Sequence, residues 1–229
     1  MPKETFFNLP SEKRERFMAA ALDEFALHDY RSASVSRIVA TLGIAKGSVY
    51  QYFEGKQELY AYLVASAAAE KFAFIDASVG DEASGFFERF TSTVFHGARF
   101  DFTEPRLASI LYNVTYEPGA ETLSISARLK AASLEYLDGL VRSGIRSGDL
   151  RGDIDVGYVA FALYQLSASL RDYLSERFGF SFKAAVQAGS GSPIRDEDLH
   201  EVLRELVALL RGGLADTSSS TSRPTTSPV

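Results

Sequence analysis

Apolar side chains recur every three or four residues along most of the 229-residue chain, and this period belongs to the α-helix. Phe17, Ala21 and Phe25 form one such stripe, with Met18 and Leu22 beside it. No segment shows the strict alternation of apolar and polar residues that marks a half-buried strand. The sequence therefore predicts an all-α fold.

The predicted helices end where glycine or a run of polar residues interrupts the stripes. The first helix is expected to start at Ser11 and to end before His28. The other helices are expected over these ranges: 35–42, 45–53, 56–76, 81–100, 104–116, 120–146, 154–177 and 195–212. Residues 178–194 are rich in glycine and serine and are expected to form a connection. The tail from Asp216 is expected to be disordered because its residues cannot form a packed core.

Composition excludes several classes of protein. The chain has no cysteine, which excludes disulfides, thiolate catalysis and cysteine-bound metal sites. Its longest uncharged stretch, residues 156–170, has 15 residues, whereas a membrane-spanning helix needs about 20 apolar residues. The N-terminus lacks the apolar segment of a secretory signal, so a cytoplasmic location is expected.

The net charge argues weakly against a nucleic-acid partner. The chain carries 24 Lys and Arg and 30 Asp and Glu, a formal charge of −6, whereas nucleic-acid affinity comes largely from neutralised phosphates. Residues 1–60 are nevertheless neutral, because they hold eight basic and eight acidic side chains. A local cationic site near the N-terminus is therefore compatible with DNA binding.

Residues 34–53 have the layout of a helix-turn-helix, in which two short helices flank a tight turn at Gly43. The second helix has few apolar anchors, chiefly Val49 and Phe53, and its other positions carry a cation, hydroxyls, phenols and an amide. A helix this short needs its neighbours to stabilise it. The chemistry of these residues alone fits a helix that enters the major groove and an ordinary polar surface helix about equally well.

Together with their flanks, these residues resemble the N-terminal DNA-binding domain of the tetracycline-repressor-like (TetR) family of transcriptional regulators. The resemblance runs without gaps from about Ala20 to Leu59 and rests on these residues: Phe25, Tyr30, Ile38, Gly43-Ile44, Lys46-Gly47, Tyr50-Gln51-Tyr52-Phe53, Lys56 and Glu58-Leu59. Ala45 departs from the family pattern, which usually has a serine or threonine helix cap there. The resemblance implies a three-helix helix-turn-helix domain at residues 1–55, a larger helical ligand-binding and dimerisation domain at 56–213, and a disordered tail at 214–229.

The resemblance also implies which side chains bind DNA phosphates. Ser34 would cap the second helix and, with the amides that follow it, hold one phosphate. Four further side chains would bind the backbone: Lys46, Tyr50, Tyr52 and Lys56. The helix that starts at residue 56 would present free N–H groups to another phosphate.

Base recognition is assigned to the same short helix. Ser48 and Gln51 would reach base edges, because the amide of glutamine can pair with N6 and N7 of adenine. Gly47 would let the backbone approach the phosphate strand closely. The resemblance thus implies that the partner is a double-stranded DNA operator.

A palindromic operator requires two such domains about 34–36 Å apart, and hence a dimer. The helix at 154–177 is apolar on more than one side and is hard to bury within a single protomer. With the helix at 195–212, and the same pair from a partner, it would form a four-helix bundle, as the family's last two helices do. The alternative is that the central helix is buried wholly within one protomer.

The helices between residues 81 and 177 would enclose a mostly apolar pocket for a small molecule. Large aromatic side chains, several with a polar tip, are the candidates to line it: Phe86, Phe90, Phe95, Tyr112, Tyr116, Tyr136, Phe161 and Tyr164. A hydrophobic or aromatic effector that prefers one conformer would change the affinity for the operator. Repression is the family's usual mode, so the resemblance implies a ligand-responsive repressor.

An enzyme and a protein–protein adaptor are the two alternatives to a DNA-binding repressor. The sequence has no nucleophile elbow, no HExxH, no phosphate-binding glycine loop and no dinucleotide fingerprint, so an enzyme is not expected. Its three histidines are far apart in sequence, and neither a metal nor a cofactor is predicted. A helical protein–protein adaptor that does not bind DNA is the remaining alternative.

Overall fold

The computed structural model describes residues 1–78, 85–116, 119–189 and 194–215, and these ranges contain eleven helices. In chain order the helices are α1 Glu4–Phe7, α2 Ser11–Leu27, α3 Val35–Leu42, α4 Gly47–Tyr52, α5 Lys56–Ser78, α6 Phe86–Thr103, α7 Pro105–Tyr116, α8 Leu123–Ser147, α9 Val156–Phe178, α10 Phe182–Ala188 and α11 Asp196–Leu214. The described ranges hold no strand, only an isolated bridge between Leu150 and Ala215. The all-α prediction is confirmed. No described helix combines the length and the apolar character needed to cross a bilayer.

The first hydrophobic core joins the N-terminal helices to α5 and α7. Phe17, Ala21 and Phe25 of α2 are buried in it, as their helical spacing predicts. The core continues through Ile110 of α7, and the amide of Asn113 in the same helix donates a hydrogen bond to the Phe25 carbonyl at 3.2 Å. Packing therefore crosses the domain boundary predicted at residue 55, and α7 lies directly on the N-terminal helices.

The second core lies between α6, α8, α9 and α11. Its most deeply buried side chains include Phe90 of α6, Val141 of α8 and Leu163 and Leu174 of α9. Gly144 permits the close approach of α8 to α6, because a Cβ atom at this position would lie 2.9 Å from the Cβ of Phe86. The apolar faces of these four helices therefore pack against one another in a single hydrophobic core.

Two short helices were not predicted. Residues 178–194 were expected to be a connection, yet they contain α10, which begins after Ser181 and whose first turn is capped by the Ser181 hydroxyl. Phe182 of α10 packs 5.1 Å from the ring of Phe102, so tertiary contacts stabilise a helix that the composition does not indicate. The other missed helix, α1, lies before α2 at Glu4–Phe7. The tail expected at 214–229 starts too early, because Leu214 ends α11 and Ala215 forms the bridge with Leu150. The part of this tail from Asp216 lies outside the described residues.

Candidate nucleic-acid interface and internal cavity

A tight turn separates α3 from α4. Gly43 follows the end of α3 with a φ of 67°, a left-handed conformation that glycine adopts without strain. The N–H of Gly43 bonds to the Ala40 carbonyl, and the N–H of Ile44 bonds to the Val39 carbonyl. These bonds satisfy carbonyls at the end of α3 and reverse the chain, so that α4 begins after only four residues.

One face of α4 is buried and the other is open. Val49 and Phe53 are fully buried in the first core. Lys46, Gly47 and Gln51 are exposed on the other side, and the helical period places residues 46, 47, 50 and 51 on one face. The predicted cation, glycine and amide therefore face away from the protein together.

Tyr50, Ser48 and Tyr52 lie at different depths on α4. Tyr50 is 48% exposed and belongs to the open face. Ser48 is half-buried. Tyr52 is also half-buried, because its ring packs edge-on against Phe17 at 5.7 Å. Of the predicted contact residues on this helix, Tyr52 is therefore the one whose ring also belongs to the packing beneath the helix.

Ser34 does not cap α3 in the predicted way. It occupies the position before the helix with an extended backbone, but its hydroxyl makes no capping hydrogen bond. Its N–H instead donates to a carboxylate oxygen of Glu24 at 2.6 Å. The prediction of a Ser34 side-chain cap is wrong: the N–H of Arg37, which a capping hydroxyl would accept from, donates to the Ser34 carbonyl at 3.0 Å instead.

Glu24 also fixes α3 through Arg37. Both carboxylate oxygens accept hydrogen bonds from the Arg37 guanidinium, one of them at 3.0 Å from Nε, and the guanidinium also donates to the Ser32 carbonyl. Burial raises the pKa of Glu24, but the hydrogen bonds from Arg37 and Ser34 and the charges of Arg37 and His28 together lower its pKa below the usual value. This network sets the position of α3 on α2.

Lys56 has partners within the protein. Its ammonium lies 4.5 Å from the centre of the Tyr30 ring and donates to the Arg31 carbonyl at 3.2 Å. Burial lowers the pKa of Lys56, opposed by the nearby carboxylates of Asp29, Glu121 and Glu24. A phosphate contact from Lys56 requires its ammonium to turn away from Arg31.

The N-terminus of α5 already holds an anionic group. The carboxylate of Glu58, in the first turn, accepts a hydrogen bond from the N–H of Glu54 at 2.7 Å and pairs with the amino group of Met1. A carboxylate at this end of the helix competes with a phosphate for the same positive dipole. The expected phosphate site at this helix start is therefore partly filled by the protein itself.

The N-terminal arm, residues 1–9, covers the C-terminal end of α4, and the sequence analysis did not detect it. The Lys3 N–H donates to the Tyr52 carbonyl at 2.8 Å and its ammonium donates to the Tyr50 carbonyl at 2.9 Å. The Thr5 hydroxyl donates to the Gln51 carbonyl. The arm thus satisfies three carbonyls that a six-residue helix would otherwise leave without partners.

A partly open cavity of about 230 Å³ lies between α5, α6, α7, α8 and α9. Its apolar lining includes Phe72 and Ile75 of α5, Leu111 of α7 and Leu129 and Leu137 of α8. Helices α5 and α7 both border this cavity and pack into the first core, so the cavity is connected to the N-terminal helices through rigid elements.

Four of the eight predicted pocket aromatics line this cavity: Tyr112, Tyr116, Tyr136 and Tyr164. The other four do not. Phe86 and Phe90 are buried in the second core, where the spacing of α6 directs them toward α8 and α9. Phe95 is also buried and stacks on His200 with ring centres 4.2 Å apart, whereas Phe161 is 42% exposed on α9. Sequence periodicity identified large apolar positions but did not separate core from cavity.

Three charged side chains that were not predicted as site residues also line the cavity. Lys71 of α5 pairs with Asp101 of α6, its ammonium lying 2.7 and 2.8 Å from the two carboxylate oxygens. The Arg171 guanidinium lies 4.1 Å from the centre of the Tyr112 ring and 3.6 Å from that of Phe182. Burial lowers the pKa of Arg171, against the opposing influence of Asp101, Tyr112, Asp172 and Tyr116. Each of these charges has another charged residue within three positions in the sequence, so no local pattern distinguishes them from ordinary surface charges.

Comparison with known proteins shows what the whole chain is similar to. Residues 17–63 match the family model for bacterial regulatory proteins of the tetR family. A TetR family transcriptional regulator from Chloroflexus aurantiacus J-10-FL is 36% identical, with 94% of this chain and 99% of that chain covered and a TM-score of 0.77. The fatty acid metabolism regulator protein of Bacillus subtilis is 22% identical over 148 residues, 63% of this chain and 76% of the relative. FadR from Bacillus subtilis in complex with stearoyl-CoA is 19% identical, with 82% and 96% covered and a TM-score of 0.61.

Proposed function

This chain belongs to the TetR family of transcriptional regulators, and we propose that it is a repressor that binds a palindromic operator as a homodimer and is released by a small hydrophobic or aromatic effector. The observation that carries this proposal is the open face of α4. Lys46, Gly47, Tyr50 and Gln51 lie there without burial, while Val49 and Phe53 anchor the helix from behind. A helix presented in this way fits the major groove.

The roles of the α4 side chains follow from their chemistry. Lys46 and Tyr50 bind backbone phosphates, which fixes the position of the domain on the duplex without reading sequence. Gln51 contacts a base edge, and Ser48 assists at the margin of the same face. Tyr52 and Ser34 add phosphate contacts, and Lys56 adds one after it leaves the Arg31 carbonyl.

The exposed apolar surface of the last long helices supports homodimerisation. On α9, Tyr158 is 72% exposed and Tyr173 is 49% exposed, and Leu209 of α11 is 78% exposed. Several large apolar side chains are thus exposed on these two helices, and exposed apolar area of this kind is typical of an interaction surface. The proposed dimer pairs residues 154–177 and 195–212 with the same segments of a second copy, and this brings two α4 helices to one operator.

The cavity is the proposed effector site. It is mostly apolar, and the relatives that regulate fatty acid metabolism or hold stearoyl-CoA have the same fold. An effector shifts operator affinity only through its different affinities for the two conformers. The transmission route is α5, which runs from Lys56 to the cavity, together with α7, which contacts both the cavity and α2.

Operator selection tests this function. The purified 229-residue chain is used to enrich genomic fragments, and its affinity for an enriched site is measured by fluorescence anisotropy over a series of salt concentrations. Lys46→Ala should weaken binding to every sequence and flatten the salt dependence by roughly one unit of slope. Gln51→Ala should instead relax the preference at particular base pairs by about 1–3 kcal/mol.

Lys183→Ala, which removes an exposed cation on α10, is the matched control and should leave the salt slope unchanged. If Lys46→Ala and Gln51→Ala behaved alike, the division between phosphate and base contacts would be wrong. If the wild-type chain bound no fragment even at low salt, the repressor proposal would fail in favour of a protein–protein adaptor.

A further inference from the structure

The cavity contains a cation without a matching anion. Lys71 and Arg171 supply two positive charges and Asp101 supplies one negative charge to its lining. Both oxygens of Asp101 are engaged by the Lys71 ammonium, at 2.7 and 2.8 Å. Among the described residues, no carboxylate lies within ion-pair distance of the Arg171 guanidinium. Among the charged side chains that line the cavity, positive charge therefore exceeds negative charge by one, and the neighbouring Asp172 carboxylate, outside the lining, accepts a hydrogen bond from the Tyr112 hydroxyl at 3.4 Å.

The guanidinium of Arg171 is held in a fixed position. It lies between the rings of Tyr112 and Phe182, and its Nη1 donates to the Ala108 carbonyl at 3.1 Å. A guanidinium has five N–H donors, so this bond leaves several donors for another partner. Guanidinium planes fixed by aromatic stacking are suited to bidentate recognition of carboxylates.

Two phenol groups of the cavity lining can donate further hydrogen bonds. Tyr116 and Tyr164 both line the cavity. Burial raises the pKa of both phenols, and the charge of Asp172 adds to the effect at Tyr116. These hydroxyls therefore keep their protons at neutral pH, and they suit an acceptor such as a carboxylate oxygen.

We propose that the effector is an amphiphilic carboxylate, whose carboxylate binds the Arg171 guanidinium and whose apolar portion fills the rest of the cavity. This inference rests on the proposed ligand-responsive function and specifies the class of its effector. Arg171 is the specificity-determining residue, because a neutral ligand of the same shape would leave a partly buried guanidinium without its counter-charge. The apolar portion contacts Phe72, Ile75 and Leu129 of the lining.

Calorimetry with matched ligands tests the inference on the full-length protein. Decanoate is compared with decan-1-ol and methyl decanoate, and 4-phenylbutyrate with 4-phenylbutan-1-ol, near neutral pH. The acid of each set should bind about ten-fold or more tightly than its neutral partners, since a charge-assisted hydrogen bond contributes that much. Decanoyl-CoA is included because it has the same chain without a free carboxylate.

Variants identify the residue responsible. Arg171→Gln should remove the preference for the acid, and Arg171→Lys should keep part of it because the charge remains. Arg142→Gln, at an exposed guanidinium that pairs with Asp138 on its own helix, is the matched control and should keep the full preference. The comparison of acids with neutral ligands in the wild-type chain stands even if Arg171→Gln is poorly folded.

Four outcomes would overturn the inference: no acid binds, a neutral partner binds as tightly as its acid, Arg171→Gln keeps the preference, or only decanoyl-CoA binds. These outcomes differ from failure of the proposed function. A wild-type chain that binds an operator and releases it with a neutral ligand retains the repressor role but excludes a carboxylate effector. A chain that prefers acids yet binds no operator has the predicted cavity chemistry without the repressor role.

Discussion

Replacing Phe6 by alanine should release the N-terminal arm from α4 and weaken operator binding. Phe6 is fully buried, and its ring centre lies 5.1 Å from that of Phe53, 5.6 Å from Tyr62 and 6.2 Å from Phe17. It is the only residue of the arm that is fully buried within the described first core. The hydrogen bonds from Lys3 and Thr5 to α4 depend on this anchor.

The size of the effect follows from the burial of the ring. Truncating a buried phenylalanine to alanine costs about 3–5 kcal/mol. Applied to the docking of the arm, a loss of about 3 kcal/mol raises the population of the released arm roughly 150-fold. In the released state the carbonyls of Tyr50, Gln51 and Tyr52 lose their partners, and a helix of six residues has little stability of its own.

Hydrogen–deuterium exchange and operator affinity measure this effect together. Amides of α4 should exchange faster in Phe6→Ala, amides of α9 should not change, and operator affinity should fall. Phe7→Ala is the matched control, since Phe7 is 48% exposed and its loss should leave the arm docked. Unchanged exchange in α4 with unchanged operator affinity would refute the idea that the arm holds this helix.

Three further predictions concern Gly47, Gly144 and Glu24, with Gly139→Ala as the control for Gly144→Ala. Gly47→Ala should leave the free energy of unfolding unchanged or raise it by up to about 1 kcal/mol, because a Cβ there meets no atom within 4 Å. Fluorescence anisotropy should nevertheless show weaker operator binding, because the added methyl group would face the phosphate strand. Gly144→Ala should destabilise the chain by about 1–3 kcal/mol in thermal unfolding, because the added Cβ would lie 2.9 Å from the Cβ of Phe86 in α6. Gly139→Ala on the same helix is the control: its Cβ meets no atom within 4 Å, so this substitution should be neutral or stabilising. Glu24→Gln should lower stability at neutral pH by about 1–3 kcal/mol. The pKa of Glu24 is lower in the folded state than in the unfolded chain. The carboxylate therefore contributes to the free energy of unfolding above the ordinary carboxyl pKa, and this contribution is lost as the pH falls through the folded pKa. Urea unfolding over a pH series should accordingly show a smaller loss of unfolding free energy at acidic pH in Glu24→Gln than in the wild-type chain.

Helical periodicity was sufficient to predict the main elements and the orientation of α4. The four-residue spacing of Phe17, Ala21 and Phe25 predicted a buried stripe, and Val49 and Phe53 were correctly assigned to the core. The left-handed turn at Gly43 was also predictable, since glycine alone adopts this conformation freely. Both features were predictable because helical spacing and a left-handed glycine turn are determined by residues close together in the sequence.

Features that depend on distant contacts could not be predicted. Helix α1 is four residues long, and it is stabilised by Phe6 packing on residues about 50 positions away. The hydrogen bond from the Ser34 N–H to Glu24 of α2, ten residues earlier, was likewise not predicted. Both outcomes depend on how separate helices pack, and no local pattern specifies that.

The residues that line the cavity could be predicted only in part, because the lining depends on how distant helices pack. Tyr112 and Tyr164 were correctly expected near a cavity, but Phe86 and Phe90 face the core instead. All four are large aromatic residues at helical spacing, so composition cannot separate them. The ion pair between Lys71 and Asp101 joins residues 30 positions apart and becomes visible only when α5 lies on α6.

Cleavage of operator DNA from a reagent attached to α4 tests the central claim most directly. The chain has no natural cysteine, so Gln51→Cys provides a single attachment site for an iron chelate, and Lys183→Cys provides the control. The reagent at position 51 should cut the bound operator at two positions related by a dyad, about 34–36 Å apart, while the reagent at position 183 should not cut. Binding of the labelled Gln51→Cys protein to the operator without cleavage from position 51 would show that another surface of the protein contacts the duplex.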